Sequence, residues 1–175
     1  MDNGKYILGL KKALNSGGKK LDLSKAALLS IAIGEKLPST YYDGQQLTQA
    51  FSGLRRYKFV RREKGKNHSL TTKGKEKLQD IIIDEIKVQN KKWNGKWYLV
   101  MYDFPIRLKK ARNAFRWKLK DLGFFQLQKS AWIYPYPCTE EILLVADFYG
   151  VRGHIEILEV SKVLNEKKLK AHFCL

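Results

Sequence analysis

Between Gln45 and Arg56 the chain sets Gln45, Gln49, Ser52 and Arg56 at intervals of three and four residues, with Thr48 and Arg55 on one flank. On a helix these side chains share an outer arc, while Leu47, Ala50, Phe51 and Leu54 share the inner one. Glutamine and arginine carry the paired donors and acceptors that match adenine and guanine edges in a DNA major groove. That outer arc holds no carboxylate that would repel phosphate. Further along, Arg61, Arg62, Lys64, Lys66 and His68 surround the tip Lys64-Gly65-Lys66, which suits contact with a phosphate backbone. A second basic set, Lys109, Arg112, Arg116 and Lys120, recurs at helical spacing and would extend the same surface.

Other chemistries find less support in the residues. Cys138 and Cys174 are the only cysteines and belong to no CxxC or Cys/His cluster, so neither a disulfide framework nor a zinc site is expected. Ser130 has no GxSxG setting and reads as a turn residue. His68, His154 and His172 are scattered, and no glycine-rich phosphate loop is present. Asp103, at the end of an apolar strand, has two readings. It is a candidate ligand for a catalytic metal, or a structural acid pairing with Arg107 or capping the next helix.

Composition points the same way as the basic sets. The 175 residues include 34 Lys+Arg against 17 Asp+Glu, a net charge of +17, with an ordinary hydrophobic fraction of 44%. An ordinary core with this excess of base describes a folded protein with an anionic partner, most often nucleic acid. The base is concentrated in two runs. Arg55 to Lys77 holds ten Lys/Arg against Glu63 and Glu76, and Arg107 to Lys120 holds seven with no acid. No apolar run is long enough to span a membrane, and MDNGKYILGLKK lacks a signal-peptide core, so a cytoplasmic protein without a membrane association is expected.

The elements that must position these residues follow from the pattern. KAALLSIAIGEKL after Leu23-Ser24 predicts a buried helix capped by Ser24 and stopped at Pro38-Ser39. Asp43 caps a second helix over about 45–57. Strands over 59–63 and 67–72 flank the basic tip, and Thr71 or Thr72 caps a third helix. Helix, helix, basic hairpin, helix is the order of a winged helix-turn-helix, whose second helix enters the major groove. Past a polar connector, KWYLVMYDF reads as a buried strand and 107–122 as a helix with Leu108, Ala111, Phe115, Leu119 and Leu122 inward. FFQLQ and SAWIYPY read as strands, EEILLVADFYG as a helix capped by Thr139, HIEILEV as a strand, and NEKKLKAHF as a closing basic segment. The order β-α-β-β-α-β is that of a ferredoxin-like fold.

The run KWYLVMYDFPIRLKKARNAFRWKLKDLGFFQLQKSAWIYPY resembles the central domain of PaaX-type transcriptional repressors. That domain is itself similar to the small CRISPR-associated adaptation and nuclease subunit, the second Cas protein. YDFP, the spaced basic residues of ARNAFRWKL, LGF, LQKSAW and YPY carry the likeness, over roughly Trp93 to Val163. The resemblance implies a winged helix ahead of a dimerising domain. The Cas family has an aspartate where Asp103 stands and binds a divalent metal across a dimer axis, but its usual polar residue three positions on is Ile106 here. PaaX-type chains also usually continue into a further domain, which puts a carried-over acyl-CoA effector in doubt.

The expected protein is α+β, with a winged-helix DNA-binding domain over 1–90 and a ferredoxin-like dimerisation domain over 91–175. Its expected function is sequence-specific binding of double-stranded DNA as a homodimeric transcriptional regulator, a repressor, with no cofactor. Two other readings stay open. One is a nuclease using Mg or Mn at Asp103. The other is a non-catalytic scaffold of CRISPR spacer adaptation, with a CRISPR integrase as partner.

Overall fold

A computed structural model describes residues 22–34, 43–63, 68–88 and 92–175. Among them the chain is α+β, with six α-helices and two antiparallel sheets. It divides into two compact units, Met1–Glu85 and Ile86–Leu175.

The first unit is built from α1 (Leu23–Ile33), α2 (Gly44–Arg56), β1 (Val60–Arg62), β2 (His68–Leu70) and α3 (Thr72–Glu85). Helix α1 starts one residue ahead of Ser24, because Asp22 is the cap, its Oδ1 accepting from the Ser24 and Lys25 backbone N–H groups. It stops at Gly34, whose left-handed φ of 69° suits a residue without a Cβ, well before Pro38. Asp43 caps α2 by accepting from Gln46 N–H at 2.8 Å. Ala27, Leu28, Leu29, Leu54, Val60, Leu78 and Ile81 form one buried cluster. Helix α1 is therefore apolar around most of its girth: α2, α3 and β2 all pack on it.

A tight joint sets where the hairpin stands. Lys58 turns the chain from α2 into β1 with a left-handed φ of 59°, which is unusual for a residue with a side chain. The Thr71 hydroxyl donates to the Lys58 carbonyl at 2.6 Å and accepts from Gly74 N–H at 3.0 Å. Thr71, rather than Thr72, thus caps α3 and ties its first turn to the start of β1. Gly74 lies so close that a Cβ there would stand 1.9 Å from the Phe59 carbonyl oxygen. Strands β1 and β2 pair antiparallel as Val60↔Leu70, Arg61↔Ser69 and Arg62↔His68. The expected tip residues Lys64 and Lys66 lie outside the described residues.

The second unit runs β3 (Trp97–Tyr102), a 3-10 turn (Ile106–Leu108), α4 (Lys109–Asp121), β4 (Phe125–Gln128), β5 (Ala131–Tyr134), α5 (Thr139–Phe148), β6 (Ile155–Val160) and α6 (Glu166–Phe173). The sheet order is β4-β5-β3-β6, antiparallel throughout, with a register shift between Gln126 and Gln128. Alternation on β3 sends Tyr98, Val100 and Tyr102 to one face and Trp97, Leu99 and Met101 to the other. On the first face the Tyr102 and Phe104 rings meet Phe115 of α4 edge-on at 5.5 and 5.6 Å. On the other face Trp97 and Ile133 pack with Leu169 of α6. The closing segment read as merely basic is therefore a helix. Its Glu166 accepts from Trp97 Nε1 at 3.2 Å, and its Lys170 ammonium lies 4.8 Å from the Trp93 ring centroid. Thr139 is the first residue of α5 and not its cap.

Lys118 belongs to the second basic run by sequence but is fully buried, with Nζ donating to Asp121 Oδ2 at 2.8 Å. That bond holds the Asp121 carboxyl below its ordinary pKa. The benefit is present above the unfolded carboxyl pKa and fades as pH falls through the lowered folded value.

Two stability measurements follow, both read by chemical denaturation. Gly74→Ala drives a methyl into backbone that cannot yield and destabilises by about 1–3 kcal/mol or more, whereas Gly53→Ala, in open space on α2, stabilises by about 0.5–1 kcal/mol. Asp121→Asn leaves a buried ammonium without its anion and costs about 1–3 kcal/mol, while Lys118→Met at the same place is close to neutral. Equal losses in the second pair would show that the ion pair itself stabilises the fold, beyond merely neutralising a buried charge.

Candidate nucleic-acid interface

Helix α2 offers its outer face to solvent. Gln45, Thr48, Gln49, Ser52, Arg55 and Arg56 are all exposed, as is Gln46, which the sequence pattern had not singled out. Leu54 is buried, and Leu47, Ala50 and Phe51 are half-buried on the inner side. The Gln45 and Gln49 amides make no side-chain hydrogen bond among the described residues, so their donors and acceptors are available. Three others are partly committed. The Thr48 hydroxyl donates to the Gly44 carbonyl at 2.8 Å, Arg55 Nη2 donates to Ser52 Oγ at 3.3 Å, and the Arg56 guanidinium lies 5.5 Å from the Tyr57 ring centroid.

The hairpin divides its charges between two faces. Arg61 and its cross-strand partner Ser69 share one face, where Arg61 Nε donates to Glu63 Oε1 at 2.8 Å and to Ser69 Oγ at 3.0 Å. Ser69 also donates to Glu63 at 2.6 Å, and these bonds hold the Glu63 carboxyl below its ordinary pKa. Arg61 is thus largely neutralised within the hairpin. Arg62 and His68 share the opposite face. There the His68 ring stacks on Phe51 of α2, with centroids 4.8 Å apart and planes at 28°. A cavity of about 310 Å³ opens at this place, lined by Leu47, Thr48, Phe51, Arg55, Arg62 and His68. Burial, then the positive charges of Arg55 and Arg62, push the His68 pKa below its ordinary value.

In the second unit, Lys109, Arg112, Arg116 and Lys120 fall on one stripe of α4. Lys109 and Lys120 are exposed, while Arg112 and Arg116 are half-buried. Burial pushes the Tyr102 phenol above its ordinary pKa, against the opposing pull of Arg116 and Arg112. Arg116 Nε is buried without a partner among the described residues. Trp117, beside the stripe, is 61% exposed.

Asp103 is exposed, and its backbone N–H donates to the His154 carbonyl at 3.0 Å. Neither the 3-10 turn nor α4 has a side-chain cap, so Asp103 does not cap the helix that follows, and it forms no ion pair with Arg107. Among the described residues no three His, Cys, Asp or Glu gather as a metal site. A hard divalent cation wants several oxygen ligands, and Asp103 is one. Burial pushes the Cys138 thiol up to about 12, which leaves it un-ionised at neutral pH. No helix among the described residues is long and apolar enough to cross a membrane.

Comparison with known proteins bears chiefly on the second unit. No curated protein matches the chain. Among solved structures, the uncharacterized protein Rv0674 from Mycobacterium tuberculosis is similar over 96% of this chain and 64% of that one, at 12% identity and a TM-score of 0.37. The chain thus spans less than two thirds of that protein's length. Residues 90–171 match the family model described as the PaaX protein central Cas2-like domain, a match that supports reading the chain as a PaaX-type protein.

Proposed function

We propose that the protein is a transcriptional regulator of the PaaX type that binds double-stranded DNA sequence-specifically, as a homodimeric repressor. The first unit is read as a winged helix and the second as a ferredoxin-like dimerisation domain, with the boundary near residue 90. The observation that carries this is the outer face of α2, where exposed Gln45, Gln49, Ser52 and Arg56 stand on a helix without a single acid. Such a helix lies in a major groove with its amides and guanidinium at base edges. Arg62 and His68 on the hairpin, with Lys64 and Lys66 at its tip, then contact the backbone. Arg61 contributes less than its charge suggests, because Glu63 already holds it.

Dimerisation fits the sheet of the second unit. Leu99 and Leu158 face each other across β3 and β6, and Met101 follows on the same face. Leu158 and Met101 are 44% and 37% exposed on a surface that a second copy would cover. Two copies place two α2 helices on two half-sites, so that the symmetry of the protein matches that of its operator. Lys109, Arg112, Arg116 and Lys120 add phosphate contacts, and neither a cofactor nor a metal is required.

Gln49→Ala separates base reading from simple attraction to phosphate. In competition between the preferred duplex and single-base variants of it, near physiological salt, the change removes about 1–3 kcal/mol of discrimination at one position of each half-site. Asp103→Ala leaves both affinity and preference unchanged. Uniform weakening on every duplex by Gln49→Ala would contradict the assignment of α2, and divalent-metal-dependent cleavage abolished by Asp103→Ala would favour a nuclease.

A further inference from the structure

Of the four tryptophans, three are used by the fold and one is not. Trp97 and Trp132 are buried, and Trp93 is half-buried. Each of these donates its indole N–H within the second unit: Trp93 to the Lys96 carbonyl, Trp97 to Glu166 and Trp132 to the Tyr102 hydroxyl. Trp117 is mostly exposed on α4, and among the described residues its N–H has no acceptor and its ring no aromatic or cationic contact. Phe115, Lys118 and Leu119 turn the opposite side of the helix into the core. The indole therefore stands on the outermost line of α4 together with Lys109, Lys110, Asn113 and Lys120, all of them exposed. Asp121, the acid nearest to it in sequence, is half-buried and accepts from Lys118 Nζ at 2.8 Å.

A single apolar side chain in water is ordinary on a protein surface. The setting of this one carries more, because the lysines around it decide the kind of partner. Tryptophan is enriched where proteins meet proteins, but lysine is depleted there. Nucleic acid uses both, since ammonium groups hold phosphates while an aromatic face receives a base. Inside a duplex both faces of each base are already stacked on neighbours. An indole on a convex helix thus finds a free base face only where a nucleotide is unpaired.

We infer that the outer face of α4 binds single-stranded nucleic acid, with an unpaired base stacked on Trp117 and phosphates on Lys109, Lys110 and Lys120. Lys110 and Lys120 lie about 15 Å apart along the helix axis, on either side of the indole. One strand is therefore held both before and after the stacked base. The site reads no sequence, because every base has a π-face. It is independent of the reading of α2, which concerns the base edges of a duplex.

The test titrates the full chain against a fluorescein-labelled oligothymidine strand near physiological salt, with anisotropy as the readout. A mixed-sequence duplex and an abasic strand of the same length are run beside it, and circular dichroism checks that each variant keeps its helices. Trp117→Ala weakens oligothymidine binding about five- to a hundredfold. Trp117→Phe keeps most of the affinity, whereas Trp117→Leu, which has apolar bulk without a ring, does not. The abasic strand, with phosphates and no bases, is bound alike by the protein and by Trp117→Ala. Lys120→Gln lowers the slope of log affinity against log salt by about 0.7 on the single strand. Oligothymidine held through Trp117 by a protein that selects no duplex would support the site and tell against the reading of α2. Equal affinity of the protein and Trp117→Ala for oligothymidine, or no affinity at all, would overturn the site and leave that reading standing. An equal loss on strand and duplex would overturn the assignment to an unpaired base. Dissociation of a dimer by Trp117→Ala, with strand binding unchanged, would give the indole to a contact between copies instead.

Discussion

The Thr71 hydroxyl holds two separate parts of the first unit in one place. It donates to the carbonyl of Lys58, where the chain leaves α2 in a left-handed turn, and accepts from the N–H of Gly74 in the first turn of α3. The hairpin between these points can then stand only where the Phe59 carbonyl fits against a residue without a side chain. That position brings His68 onto Phe51 and Arg62 to the side of the cleft opposite α2. The stack of His68 on Phe51, beside the proposed reading face, inherits its geometry from this joint. A Cβ at Gly74 would move the hairpin before it disturbed the outer face of α2.

Ion pairs relieve the repulsion of this +17 chain at some cations and leave it at others. Arg61 is covered by Glu63, Lys118 by Asp121, and Lys170 by Glu166. Among the described residues no acid pairs with the outer arc of α2 or with the α4 stripe. The two surface pairs among these, Arg61–Glu63 and Lys170–Glu166, contribute little to stability. Their consequence is to decide which cations remain open to phosphate, which a count of Lys and Arg cannot reveal.

Much of this architecture is legible in the sequence, and the exceptions share one cause. Asp43 as the cap of α2 and the inner set Leu47, Ala50, Phe51 and Leu54 follow from local spacing alone. What escapes is whatever depends on a partner far along the chain. Gly74 looks like any helical glycine until the Phe59 carbonyl is placed against it. NEKKLKAHF reads as a charged tail because its helix is fixed by Trp97 and Trp93, and it lies largely within the 90–171 match, beyond the Val163 limit of the recognised motifs. Arg61 and Arg62 are neighbours of the same sign, and only the register with Ser69 and His68 places one beside Glu63 and the other at the cleft.

The central claim is that α2 reads base sequence, and its most direct test is selection of bound duplexes from a random DNA library by the purified protein. Salt should be near physiological, because a protein this basic retains any DNA in dilute buffer. The account predicts enrichment of a palindrome whose half-sites lie about one helical turn apart, or a multiple of it. Firm retention of DNA with no enriched motif would contradict it.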